Sequence, residues 1–135
     1  GEEGLRRLLE SSDYVVLTVP ETEQTRGLID EDALAAMKPG AVLVNVARGG
    51  VVDEDALVRA LAGGRLRGAA LDVFSREPLP AGHPLWRLPN AVVTPHVSAY
   101  SRGYWEREVA LVIENLRRYL AGEPLRNVVD KLAGY

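Results

Sequence analysis

Short, nearly continuous apolar runs alternate along this chain with stretches in which apolar side chains recur every three or four positions. The first pattern is that of strands and the second that of helices, so the alternation predicts the two in turn. LRRLLESS (5–12) reads as the last turns of a helix, and DYVVLTV (13–19) as a strand that stops at Pro20. A loop, PETEQTRGLI (20–29), leads to Asp30, a good N-cap for a helix through EDALAAMK (31–38), which Pro39 and Gly40 close. AVLVNVA (41–47) is a second strand, apolar almost throughout as strands buried on both faces are. Asp53 can cap the next helix, EDALVRALAGG (54–64), whose paired glycines suit a left-handed stop. RGAALDVF (67–74) and NAVVTPH (90–96) are two further strands, joined by the proline-rich loop SREPLPAGHPLWRLP (75–89). A long helix begins near Tyr104 and gathers Trp105, Val109, Val112, Ile113, Leu116 and Leu120 on one face.

Strands alternating with helices mean parallel pairing through right-handed crossovers, hence an α/β fold. A Rossmann-type, doubly wound sheet is the expected architecture, followed by the long C-terminal helix. In such sheets ligands bind just beyond the carboxyl ends of the strands. Each predicted strand end here carries residues foreign to a core: Thr18, Val19 and Pro20 after the first, Arg48 after the second, Asp72 and then Glu77 after the third, and His96 after the fourth. An arginine fork matches a carboxylate through two charged hydrogen bonds. A histidine beside a carboxylate carries a proton well. Arg48, Glu77 and His96 around one pocket would clamp a small carboxylic acid and move a proton on and off the neighbouring oxygen.

Other residues read differently. Asp72 serves equally as a turn former or as a site residue, and His83 in AGHPLW reads as a turn or surface histidine. Trp86 and Trp105 read as packing, and Ser98 and Ser101 have no base beside them for a serine nucleophile. The two histidines lie far apart in sequence, so no metal site is expected.

Composition narrows this only a little. The chain has 135 residues, a net charge of -3 and no cysteine. There is no basic stripe for nucleic acid or an anionic membrane, no apolar span, and no disulfide framework, so a cytoplasmic location is expected.

VLTVPETEQTRGLID (16–30), MKPGAVLVNVARGGVVDEDAL (37–57), LRGAALDVFSREPLP (66–80) and LPNAVVTPHVSA (88–99) together resemble the D-isomer-specific 2-hydroxyacid dehydrogenases, in order and over nearly the whole chain. The resemblance implies an oxidoreductase that uses NAD or NADP to reduce a 2-oxo acid to a D-2-hydroxy acid. By it, Arg48 orients the substrate carboxylate, His96 donates the proton and Glu77 holds His96 protonated. Thr18, Val19, Pro20, Thr25, Val46, Ala47, Arg48, Asp72, His96 and Ser98 would line the cofactor. It further implies that residues 1–103 are the C-terminal half of a dinucleotide-binding domain and that 104–135 return toward an outer domain. The intact protein is expected to be a homodimer. The alternative is a dinucleotide-sensing binding protein of the same fold with little or no turnover. HVSAYS (96–101) is closer to the glyoxylate/hydroxypyruvate reductase-like branches. No G-x-G-x-x-G occurs, so the chain is expected to be the C-terminal part of a longer enzyme, inactive alone and with one sheet edge bare.

Overall fold

A computed structural model of the chain describes residues 1–134. It divides into two compact units, Gly1–Val97 and Ser98–Tyr135.

The first unit is α/β. Helix α1 (Glu2–Ser11) precedes strand β1 (Tyr14–Leu17), helix α2 (Glu31–Ala36), strand β2 (Val42–Asn45), helix α3 (Glu54–Ala62), strand β3 (Gly68–Leu71) and strand β4 (Ala91–Val93). The sheet runs in the order β1-β2-β3-β4 with every pairing parallel. Successive right-handed crossovers in one direction bring α2 and α3 to the same face. There one apolar core joins Leu9, Leu34, Leu57 and Leu61 of the helices to Val15, Leu17, Leu43, Ala69 and Leu71 of the strands. Both acidic caps form: the side chain of Asp30 accepts from Ala33 N at 2.8 Å, and that of Asp53 from Ala56 N at 2.9 Å.

Three expectations are refined. Within this unit only one face of the sheet is covered; Tyr14, Val16 and Val92 on the other stand exposed, so β2 is not enclosed on both sides. The strands also end earlier than their apolar runs, because residues such as Ala47, Val73 and Phe74 are buried beneath the exit loops rather than in the ladder. The β3–β4 connection includes a 3-10 turn, Pro84–Arg87.

In the second unit, helix α4 (Tyr104–Ala121) starts and stops at the left-handed glycines Gly103 and Gly122. The Asn115 side chain donates to Arg126 O and accepts from Arg126 N, tying the tail to α4. Trp105 is exposed, with an edge-on ring contact to Tyr104 and a tilted one to Tyr100. No helix among the described residues is long and apolar enough to cross a membrane.

Candidate active site

The sheet register aligns Leu17, Asn45, Leu71 and Val93 across all four strands. The chain therefore leaves every strand at one rim, and the foreign residues are delivered there by the first few positions of each exit.

At the β2 exit the device is a buried amide. Asn45 is 1% exposed; its Oδ1 accepts from Ala47 N and its Nδ2 donates to Arg48 O, each at 3.0 Å. That clamp sets the backbone direction at Arg48, whose exposed side chain turns one guanidinium N–H to Ala47 O. The glycine that follows is needed for space. A Cβ at Gly49 would stand 1.9 Å from the Phe74 carbonyl carbon, so the β2 and β3 exits touch backbone to backbone. This contact brings the segment carrying Glu77 against the turn carrying Arg48.

Glu77 and His96 are paired. Glu77 Oε2 lies 2.8 Å from His96 Nδ1, while Oε1 accepts from Phe74 N at 3.0 Å. Partial burial raises the Glu77 pKa, but the hydrogen bonds from His96 and Phe74, with the charges of His96 and Arg48, outweigh it and hold the carboxyl below the usual range. With Glu77 ionised, Nδ1 is the donor, and Nε2 makes no hydrogen bond among the described residues. Arg48, at the neighbouring β2 exit, adds the smallest of these favourable contributions.

His96 adopts φ 54, a left-handed conformation costly for a side chain other than glycine. Asp72, 3% exposed, holds this turn: Oδ1 accepts from the Thr94 hydroxyl and from Val97 N. The structure thus gives Asp72 its turn-forming contacts. Thr25 likewise closes a loop, its hydroxyl donating to Pro20 O and accepting from Thr22 N. Thr18, Val19, Pro20 and Val46 are exposed just beyond β1 and β2, whereas the Ala47 side chain is buried. Ser98 is the first residue of the second unit.

A cleft of about 510 Å³ opens beside the pair, lined by Glu77, His96, Phe74, Leu79, Trp86 and Val93. Trp86 is half exposed there, its ring N–H donating to Pro80 O. Asn45 escaped the sequence reading too, although a lone amide at the end of an apolar run was its signal.

Residues 2–98 match the family model described as D-isomer specific 2-hydroxyacid dehydrogenase, NAD binding domain. Over 126 residues the chain is 45% identical to the glyoxylate/hydroxypyruvate reductase B of Pectobacterium carotovorum, covering 93% of this chain and 39% of that protein. It is 46% identical over 127 residues to the glyoxylate reductase of Korarchaeum cryptofilum, covering 94% of this chain and 38% of that one. The chain thus spans about two-fifths of the length of these curated relatives. Among solved structures, a D-isomer specific 2-hydroxyacid dehydrogenase from Xanthobacter autotrophicus, in complex with NADPH and MES, superposes with a TM-score of 0.91 at 46% identity, covering 100% of this chain and 55% of that chain. The NADPH-dependent glyoxylate/hydroxypyruvate reductase of Sinorhizobium meliloti, in complex with NADP and sulfate, gives 0.90 at 38% identity over 98% of this chain and 43% of that chain. By the matching model, the identities and the shared fold, the chain belongs to the D-isomer specific 2-hydroxyacid dehydrogenase family.

Proposed function

We propose that the intact protein reduces a small 2-oxo acid to the D-2-hydroxy acid, with NADH or NADPH as reductant. The observation that carries this reading is the Glu77–His96 pair, 2.8 Å apart, at the sheet rim that also bears Arg48. The remaining N–H donors of the Arg48 fork bind the substrate carboxylate and polarise the adjacent carbonyl. His96 presents Nε2 to the carbonyl oxygen and gives it a proton, while Glu77 fixes the tautomer through Nδ1 and stabilises the charged ring before transfer. The exposed Thr18–Pro20 and Val46 positions leave room at the strand ends for the reactive end of a dinucleotide. When bound, the nicotinamide supplies the hydride to the carbonyl carbon. The proton lost from His96 is regained from solvent, so one 2-oxo acid, one reduced cofactor and one proton give one hydroxy acid and one oxidised cofactor.

The same reading assigns residues 1–103 to the cofactor domain and 104–135 to a helix and tail returning toward an outer domain. It makes the intact protein a cytoplasmic homodimer. Support for the cofactor comes from the matched family model and from the relatives solved with NADPH or NADP.

Arg48→Ala in the full-length protein tests the assignment. Loss of a charged bidentate contact is expected to lower kcat/KM for glyoxylate and hydroxypyruvate by about a hundredfold or more, some 3 kcal/mol of transition-state stabilisation. Unchanged kcat/KM on every acid that the parent reduces would contradict it.

A further inference from the structure

The segment that carries Glu77 also meets a second polar cluster, largely shielded from solvent. Glu54 is the first residue of α3; its side chain is 14% exposed and that of His83 is 16% exposed. Glu54 Oε2 accepts from Ser75 N at 3.2 Å, and Oε1 accepts from the Ser75 hydroxyl at 2.8 Å. His83 Nε2 lies 3.3 Å from the same Oε1. On the other side of the ring, Nδ1 accepts from Leu85 N and so caps the 3-10 turn. A ring nitrogen that accepts carries no proton, so in the neutral ring the proton sits on Nε2, the nitrogen that faces Glu54. The carboxyl group thereby receives both Ser75 donors, one on each oxygen, with the His83 ring in contact beside it, and it stands at a helix N-terminus, where negative charge is favoured.

Ser75 is the link to the active site. It lies between Phe74, whose amide binds Glu77 Oε1, and Glu77 itself. Holding both donors of Ser75 therefore holds the frame from which the Glu77 carboxyl reaches His96. We propose that Glu54, seated by His83, is a positioning residue for the Glu77–His96 pair and acts through Ser75. Its role in turnover rests on the reductase reading above, whereas its effect on Glu77 does not.

Glu54→Gln in the full-length protein is the test. A glutamine offers one acceptor oxygen where the two Ser75 donors each take a carboxylate oxygen, so its amide nitrogen must face one of them. The variant is expected to lose about tenfold in kcat, as removal of an outer orienting partner does elsewhere, with KM for the 2-oxo acid changed by less than about twofold. Followed by carbon-13 NMR, the Glu77 carboxyl should titrate at higher pH than in the parent. Ser75→Ala should shift both readouts in the same direction by a smaller factor, and Ser75→Thr should restore them. A folded Glu54→Gln protein with the parent's kcat and the parent's Glu77 titration overturns the proposal. So does a protein that only melts earlier while both readouts stay unchanged, since that is a plain tether between loops. Should the full-length parent reduce no 2-oxo acid, the reductase reading fails by itself and the Glu77 titration still decides this one.

Discussion

His96 would not hold φ 54 unaided: a side chain in that region costs on the order of 1–3 kcal/mol, and the bonds from Thr94 and Val97 to Asp72 offset it. What the strain achieves is a ring displaced from the strand path and turned to Glu77. The sign of the Glu77 shift then fixes how the pair responds to pH. Burial works against ionisation there, but the hydrogen bonds from His96 and Phe74 and the nearby positive charges prevail, so the folded value lies below the unfolded one. Such a group contributes stability that is fully present above the ordinary carboxylate range and is lost as pH falls through its lowered folded value. Parent and Glu77→Gln proteins should therefore differ in stability at neutral pH, by denaturant melting, and the gap should close in acid below that range. A gap of constant size from neutral to strongly acid pH would show that the Glu77 charge is not stabilised by its neighbours.

Between elements, the decisive contact is the meeting of two exits from the sheet. Gly49 does not adopt a positive φ, so it is required for the room it leaves and not for its conformational freedom. Gly49→Ala would drive a Cβ into the Phe74 carbonyl, and the backbone must move to admit it. The expected cost is about 2–3 kcal/mol of stability, with a loss of activity because the Arg48 turn and the Glu77 segment separate. Thermal melting and kcat on the same samples check this, and an alanine variant with the parent's melting point would refute the close approach. Much at this scale was legible in the sequence. Asp30 and Asp53 sit one residue ahead of periodic apolar stretches, which is why the helix starts were read correctly. Strand ends were read too long, because Ala47, Val73 and Phe74 are as apolar as the ladder but are buried under loops. Glu54 was invisible for a different reason. An acid in the first turn of a helix is ordinary, and only the folded loops reveal that it serves Ser75 and His83.

Across the whole molecule, the parallel register turns residues far apart in sequence into neighbours. Arg48 follows β2, Asp72 and Glu77 follow β3 and His96 follows β4, and these strands end level with one another, so their delivery to one rim could be read from strand order alone. Which contact each would make could not, since Asp72, as buried as the core, might have faced a ligand as readily as the Thr94–Val97 turn that it secures. The open sheet face at Tyr14, Val16 and Val92 was hidden in the same way, because an apolar strand reads alike whether one face or both are covered. The chemistry assigned to the rim comes down to one proton donor. His96→Asn in the full-length protein, assayed for reduction of glyoxylate and hydroxypyruvate with NADPH and NADH, removes that donor while Arg48 stays in place. The expected result is a fall in kcat of about a hundredfold to ten-thousandfold with KM little changed. A variant that reduces the same acids at the parent's rate would contradict the assignment of His96 as the proton donor.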